Sequence, residues 1–286
     1  MFKGDNMDGI ILINKPSGMT SHDVVNKLRK ILKTKKVGHC GTLDPDATGV
    51  LVVCVNKATK VLQFLTSDSK EYIATLSLGT STDTYDASGK VLEKKEYSGL
   101  DKQVIIDCFN NFVGKQIQKP PIYSAIKVNG KKLYEYARNG EEVEIPTREV
   151  EINYLEIMDI KDNLIKFKVG CSKGTYIRSL CFDLAKALGY PGHMQDLIRT
   201  KSGNFSIEKC YTLEQIENGD FEYLSLEEAL DSYRKIVVED EKIVYHGKKI
   251  KSDINEQVVI CNKNNQVLAM YGPDGNGYLK NIRGLW

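Results

Sequence analysis

The chain has 286 residues, of which 41% are hydrophobic and 27% are charged, and its formal net charge is +2. This balance excludes a disordered chain and is ordinary for a globular protein with one large domain and one small domain. The longest apolar run, residues 50–55, is too short to span a bilayer, and the start lacks a signal-peptide pattern. We therefore expect a cytoplasmic protein without membrane contact.

The cysteines do not form a disulfide framework. There are seven of them, an odd number, and several lie in apolar runs, as Cys54, Cys108 and Cys181 do. The sequence has no C-x-x-C spacing, and the pair His39–Cys40 has no second pair at ligand spacing. We therefore expect reduced cysteines and no structural zinc.

The charge is distributed unevenly along the chain. Residues 1–60 carry ten Lys/Arg against five Asp/Glu, residues 207–240 carry three against ten, and residues 241–286 carry seven against four. The two basic regions could form one phosphate-facing surface, or they could be ordinary solvated lysine faces. Charge alone leaves both interpretations open.

The first quarter of the chain predicts strand, helix, loop and strand. Residues 9–14 are typical of a buried strand, and a helix capped by Thr20 or Ser21 follows. Glycines punctuate residues 37–49, and residues 50–55 are β-branched. The predicted helix has an apolar face at Val24, Leu28, Ile31 and Leu32.

The middle of the chain changes to a period of two. Residues 72–78 and 91–93 flank a polar turn, which predicts an antiparallel pair. A helix is predicted at 102–112. Residues 118–148 have little periodicity, which indicates a long functional loop.

The remaining elements complete an α+β pattern. Strands are predicted at 149–158 and 164–171, and a helix at 175–188 ends before Gly189. An acidic helical segment then leads to a β-rich tail, with a domain boundary near residue 230. Helices that are few and grouped favour α+β over a doubly wound α/β fold.

Residues 38–49 form a loop suited to holding a carboxylate. Glycines let the backbone approach a ligand, and Pro45 disfavours a helical conformation at Asp44. Such a loop can fix a carboxylate at one angle of attack, although a tight turn with Asp as a turn former is the alternative.

The string G-H-x-G-T-L-D-P-x-A-T-G-V-L at 38–51 resembles the catalytic motif of the bacterial tRNA pseudouridine-55 synthase family, the TruB type. Four further segments match that family in the same order, so the resemblance covers nearly the whole chain. They are G-I-I-L-I-N-K-P-S-G-M-T-S, K-E-Y-I-A, P-P-I-Y-S-A-I-K-V-N-G-K-K-L-Y-E-Y-A-R and C-S-K-G-T-Y-I-R-S-L. Asp46 departs from the pattern, because several relatives have an apolar residue there.

The resemblance implies a pseudouridine synthase fold, with a mixed, largely antiparallel central sheet flanked by helices and loops. It implies an isomerase that converts uridine 55 in the T-loop of tRNA to pseudouridine by base flipping, with Asp44 as the nucleophile. The reaction needs no metal and no redox cofactor. We expect a monomer whose partner is the T-arm stem-loop of tRNA, with no protein partner.

The resemblance also assigns further site residues. Tyr72 matches a tyrosine that stacks on the target base, and Arg178 matches the arginine that pairs with the catalytic aspartate. His39 matches a histidine that fills the space left by the flipped base. Tyr176 and Leu197 align with positions that line the uracil pocket.

RNA binding is expected at two further places. Residues 118–148 correspond to an insertion that clamps the T-arm, in which Lys127, Lys131 and Lys132 alternate with tyrosines. Residues 231–286 resemble a small PUA-type RNA-binding domain, so that the catalytic domain spans 1–230.

Two other functions are alternatives. Asp44-Pro45-Asp46-Ala47-Thr48 also fits D-x-D-x-T, the nucleophile motif of haloacid-dehalogenase-like phosphatases. An apolar strand does not precede it, however, and no acidic pair for magnesium follows. A non-catalytic tRNA-binding or tRNA-folding protein on the same fold is the second alternative, and the retention of Asp44, Tyr72 and Arg178 together argues against it.

Overall fold

A computed structural model of the chain describes residues 8–65 and 69–286. These residues form two compact units. The first contains residues 8–45, 49–65 and 205–286, and the second contains residues 46–48 and 69–204. Whether the chain starts at Met1 or at Met7 is a question that lies outside the described residues.

The N-terminal segment begins with a buried strand and a capped helix, as predicted. Thr20 is the N-cap, and it forms a capping box with Asp23, in which each side chain accepts a backbone N–H of the other residue at 3.0 Å. The elements are β1 (Gly9–Lys15), α1 (Ser21–Ile31), β2 (Val37–Cys40), β3 (Thr48–Val55) and a 3-10 helix (Asn56–Phe64). Strand β3 pairs antiparallel with both β1 and β2.

The second unit is built on a five-stranded antiparallel sheet. Its elements are β4 (Ser69–Leu78), β5 (Thr80–Thr82), β6 (Val91–Lys94), α2 (Lys102–Asn110), β7 (Gly114–Gln118), β8 (Lys127–Val128), β9 (Lys131–Lys132), α3 (Leu133–Asn139), β10 (Arg148–Lys161), β11 (Leu164–Ser172), α4 (Ile177–Ala187) and β12 (Gly192–Ser202). The strand order within this unit is β12-β4-β11-β10-β7.

The predicted pairing of residues 72–78 with residues 91–93 is wrong. Strand β4 lies between β11 and β12, whereas β6 pairs with the short β5. Strand length explains the difference. The backbone groups of the ten-residue β4 need long partners along both edges, which β11 with nine residues and β12 with eleven supply and β6 with four does not.

The segment 118–148, termed the insertion from here on, is more ordered than a loop. Strands β8 and β9 form a short hairpin that leads directly into α3, and the fully buried Leu133 is the first residue of that helix. Gly140 ends α3 in the left-handed region, with φ of 66°. The prediction of a long loop missed these elements because each is shorter than two periods of its own pattern.

The C-terminal segment is β-rich, as predicted. It comprises β13 (Phe205–Ser206), a 3-10 turn (Ile207–Lys209), α5 (Leu213–Asn218), α6 (Leu226–Ala229), β14 (Arg234–Val237), α7 (Lys242–Tyr245), β15 (Ile250–Lys251), β16 (Val258–Cys261), β17 (Val267–Pro273) and β18 (Tyr278–Gly284). The last five strands form a sheet in the order β14-β16-β17-β18-β15, in which β14 and β16 are parallel.

One hydrophobic core joins residues from both sides of position 230. Ile10 and Val52 belong to the same buried cluster as Val259, Met270 and Leu285. The C-terminal sheet is therefore continuous in packing with β1 and β3 of the first unit. The division of the chain after residue 230 stays a prediction.

Candidate active site

Asp44 lies in the short connection between β2 and β3, residues 41–47, termed the aspartate loop from here on. Its side chain is half-buried, whereas Asp46 is exposed. The preceding residue, Leu43, is buried, and the hydroxyl of Ser21 binds both its backbone N–H and its carbonyl. That hydroxyl accepts from the Leu43 N–H at 2.9 Å and donates to the Leu43 carbonyl at 3.2 Å. Ser21 is therefore an anchor for the residue before Asp44, and the helix cap is Thr20.

A buried lysine anchors the other side of Asp44. Lys15 has 0% exposure, and its ammonium donates to the carbonyls of Pro16, Met19 and Pro45 at 2.8, 2.6 and 2.8 Å. The Pro45 carbonyl also accepts from the Gly18 N–H at 3.1 Å. An ammonium has three protons to donate, and three carbonyls here receive them. The positive charge is thus held beside the carbonyl of Pro45, the residue that follows Asp44.

Tyr72 and Leu197 lie on neighbouring strands of the second unit. Tyr72 is in register with Arg199 of β12, and Leu197 is in register with Ala74 of β4. Side chains two residues apart on a strand share a face, so that Tyr72 and Leu197 are diagonal neighbours on one side of the sheet. Tyr72 is 7% exposed and Leu197 is 9% exposed. The structure brings these two predicted pocket residues together.

Arg178 is buried in the first turn of α4 and binds three groups around it. Its guanidinium donates to the carbonyls of Thr84 and Tyr123, each at 3.1 Å, and one nitrogen lies 3.4 Å from an Asp86 carboxylate oxygen. A buried guanidinium is stable when its charge is paired and its N–H groups are bonded. Arg178 is therefore not the exposed helical arginine that its position in an amphipathic helix could suggest.

Asp86, in the polar turn between β5 and β6, is a partner of Arg178 that the sequence motifs did not predict. Its second carboxylate oxygen accepts from the Thr84 hydroxyl at 2.7 Å and from the Ser88 N–H and hydroxyl at 3.0 and 2.6 Å. These bonds fix the carboxylate that pairs with Arg178. The two aspartates of T-D-T-Y-D, close together between strands, were the available signal.

Tyr176 precedes α4 and is held by two residues at the ends of the insertion. The Gln118 side chain bonds to the backbone of Tyr176, and the Arg148 guanidinium lies 5.5 Å from the centre of its ring. Tyr176 and Arg178 thus stand at one helix start.

His39 lies in β2 of the first unit, in register with Val53 of β3, and its side chain is half-buried.

The three predicted RNA-contacting lysines of the insertion differ in their surroundings. Lys127 is exposed. The Lys131 ammonium bonds to both carboxylate oxygens of Glu141, at 2.7 and 2.6 Å, and lies 4.5 Å from the centre of the Tyr136 ring. The Lys132 ammonium lies 5.3 Å from the centre of the Tyr134 ring. Of the three ammonium groups, that of Lys127 is therefore the most available to bind an RNA phosphate.

Burial raises the pKa of several cysteine thiols. It raises the pKa of Cys171 to about 11 and raises the pKa of the fully buried Cys181 as well. In the part of the chain that the structure describes, no two cysteines are joined by a disulfide.

Among residues 8–65 and 69–286, no three His, Cys, Asp or Glu side chains stand close enough together to hold a metal ion. Within the same residues, no helix is long and apolar enough to cross a membrane.

Comparison with known proteins gives a consistent family. Residues 29–177 match the TruB family pseudouridylate synthase N-terminal domain, and residues 178–239 match the tRNA pseudouridylate synthase B C-terminal domain. The tRNA pseudouridine synthase B of Bacillus cytotoxicus is 44% identical over 97% of both chains. That of Clostridium tetani is 43% identical over 94% of this chain and 93% of its own.

Solved structures support the same fold. An H/ACA ribonucleoprotein bound to a substrate RNA containing 2'-deoxyuridine has a chain that is 27% identical, with a TM-score of 0.73, over 97% of this chain and 85% of that one. A chain of a Cbf5-Nop10-Gar1 complex is 29% identical, with a TM-score of 0.72, over 92% of this chain and 78% of that one. The predicted α+β pseudouridine synthase fold and the predicted isomerase class are thereby confirmed. The chain belongs to the TruB family of pseudouridylate synthases.

Proposed function

We propose that this chain isomerises uridine 55 in the T-loop of tRNA to pseudouridine, with Asp44 as its nucleophile. The observation that carries the proposal is the aspartate loop. Its sequence matches the family's catalytic motif, and buried side chains bind the backbone of Leu43 and the carbonyl of Pro45, the residues on either side of Asp44. Relatives that are 43–44% identical over nearly the full chain are named tRNA pseudouridine synthase B, which supports tRNA as the substrate.

The proposed chemistry exchanges one bond of C1′ for another. The bond from C1′ to N1 of uracil breaks, the base rotates, and a bond from C1′ to C5 forms. The proton that leaves C5 is balanced by the proton that N1 gains, so that the reaction has no redox change. An ionised carboxylate at a fixed angle can assist the bond cleavage as a nucleophile, and this is the role of Asp44.

Tyr72 and Arg178 complete the proposed catalytic set. Tyr72 stacks on the target base, as an aromatic ring can do with any base. Burial and the Asp86 pair support a fixed position for the Arg178 charge. Asp86 holds this charge in place.

The proposed RNA contacts extend beyond the reacting base. His39 fills the gap left by the flipped uridine, while Tyr176 and Leu197 line the base pocket. Lys127, Lys131 and Lys132 contact phosphates of the T-arm, which they bind through charge. The C-terminal residues 231–286 act as a PUA-like RNA-binding domain.

A monomeric state, the absence of a protein partner and a cytoplasmic location stay predictions that accompany this function.

The test compares two carboxylates of the same loop. Purified wild type, Asp44→Asn and Asp46→Asn are incubated with a tRNA transcript, and pseudouridine formation and tRNA affinity are measured for each. We expect Asp44→Asn to lose at least about a thousandfold in rate, as removal of a nucleophile does, while its affinity for tRNA stays near that of the wild type. Asp46→Asn, which alters an exposed carboxylate two residues away, should keep its activity.

Each contrary outcome has a distinct meaning. Full activity in Asp44→Asn would remove Asp44 as the nucleophile. Tight tRNA binding by the wild type without any product would instead support the alternative of a non-catalytic tRNA-binding protein.

A further inference from the structure

Both ends of the insertion meet at Tyr176. Gln118, where the chain leaves β7, and Arg148, where it enters β10, are partners in the register of the β7–β10 pair. Gln118 bonds to the backbone of Tyr176, and Arg148 covers its ring at 5.5 Å. The root of the insertion is thereby joined to the start of α4.

Gln118 binds both backbone groups of the residue at the start of α4. The N-cap residue of α4 is Tyr176, whose side chain makes no capping hydrogen bond. The Gln118 side-chain oxygen accepts from the Tyr176 N–H at 2.8 Å, and its amide nitrogen donates to the Tyr176 carbonyl at 3.1 Å. Gln118 is 2% exposed, and the backbone N–H and carbonyl of Tyr176 are the partners of its amide oxygen and nitrogen.

Two further bonds join the same segments. The Ser179 hydroxyl donates to the Lys119 carbonyl at 2.8 Å, and Arg178 donates to the Tyr123 carbonyl at 3.1 Å. Ser179 and Arg178 are 1% and 5% exposed. Three positions near the helix start, 176, 178 and 179, are thus bonded to residues 118–123. Buried bonds of this kind hold a geometry because each broken one leaves a polar group without water.

We propose that Gln118 is a positioning residue for pseudouridine formation, which fixes Tyr176 and Arg178 relative to the bound uridine. This inference rests on the proposed function, because the roles of Tyr176 and Arg178 belong to it. Gln118 does not touch the reacting base in this assignment; it acts through the peptide of Tyr176. Its loss affects the chemical step more than it affects RNA binding, because phosphate contacts are made elsewhere.

The test uses a matched pair of glutamines on β7. Gln118→Met removes both amide bonds and keeps an unbranched side chain of similar size. Gln116→Met is the control, because Gln116 lies on the same strand and its amide donates to Phe112 instead. Single-turnover rates with saturating enzyme, Kd for T-arm RNA and circular dichroism are measured for both variants. We expect Gln118→Met to lose about 10- to 100-fold in rate with a Kd close to that of the wild type, and Gln116→Met to match the wild type.

A second variant covers the case in which Gln118→Met does not fold. Ser179→Ala removes the single bond to Lys119 and leaves Gln118 in place, and its rate should fall by a smaller factor, again without a matching change in Kd. Rates for folded Gln118→Met equal to those of Gln116→Met would overturn the proposal. If Gln118→Met is unfolded, an unchanged rate for Ser179→Ala would do the same.

The outcomes separate this inference from the function on which it rests. A wild type that forms no pseudouridine removes the proposed function, and the positioning role with it. An active wild type with an equally active, folded Gln118→Met leaves the proposed function standing and removes the positioning role alone.

Discussion

The aspartate loop and the insertion are both irregular in sequence pattern, yet they are held in different ways. Buried side chains bind the peptide units around Asp44: Ser21 is 1% exposed and Lys15 is 0% exposed. The insertion instead presents its lysines at the surface, where Lys127 is exposed and the Lys131–Glu141 pair has side chains that are 30% and 46% exposed.

The difference follows from what each segment is proposed to do. A loop that presents one carboxylate at one angle needs buried polar contacts, each of which is costly to break. A surface that meets a polyanion needs only charge near the phosphates, and individual exposed pairs contribute little to stability. Variants of the residues that anchor the aspartate loop should therefore change the rate, and variants of the exposed lysines of the insertion should change affinity and its salt dependence.

Among variants that keep Asp44, the largest effect is expected from Lys15→Met. The change removes the ammonium and leaves the partly buried carbonyls that it binds without this donor, so that the free energy of unfolding should fall by about 2–4 kcal/mol. The rate of pseudouridine formation should fall by about 100-fold, because the carbonyl of Pro45, the residue after Asp44, loses its donor. Urea unfolding and single-turnover assays measure the two effects.

Lys57→Met is the control for that variant. Lys57 carries the same charge in the same unit, but its side chain is 59% exposed and lies 3.7 Å from Asp8. Equal losses of stability and rate in the two lysine variants would contradict the role given to the buried charge of Lys15.

A smaller effect is expected from Asp86→Asn, which tests a buried charge of the second unit, that of Arg178. The amide keeps an oxygen for the Thr84 and Ser88 donors but removes the charge that faces buried Arg178. We expect the unfolding free energy to fall by about 2 kcal/mol and the rate by about tenfold. Asp83→Asn, in the same turn, should cost less, since Asp83 bonds to the Lys90 backbone and the Tyr123 hydroxyl. A larger loss in Asp83→Asn would contradict the role given to Asp86.

The smallest effect is expected from the exposed lysines of the insertion, which should change RNA affinity and not the rate. Lys127→Gln should reduce the slope of log affinity against log salt concentration by about 0.7–0.9, the value for one phosphate contact. Lys131→Gln should reduce it less, because the Lys131 charge already binds Glu141. Filter binding of T-arm RNA over a salt series measures both slopes. Single-turnover rates at saturating enzyme should stay unchanged, and a lower saturated rate for Lys127→Gln would remove the distinction between the two regions.

The sequence predicted the elements whose pattern is local. The strand at 9–14, the helix at 175–188 and the strands at 149–158 and 164–171 agree with β1, α4, β10 and β11 to within about a turn or a few residues. The aspartate motif could also be recognised, because its glycines, proline and carboxylates are close together in the sequence.

The missed features depend on partners far along the chain. Lys15 binds Pro45, which is 30 positions away, and Gln118 binds Tyr176, which is 58 positions away. Nothing in the residues next to Lys15 or Gln118 distinguishes a buried polar anchor from an exposed side chain. The pairing of β4 was missed for the same reason, since its true neighbours, β11 and β12, are distant in sequence.

The most direct test of the proposed function maps pseudouridine at single-nucleotide resolution in a tRNA transcript incubated with the purified protein, without added metal or cofactor. The account predicts one modified position, uridine 55 in the T-loop, that is present with the wild type and with Asp46→Asn and absent with Asp44→Asn. Modification at another position, or the same modification with Asp44→Asn, would contradict it.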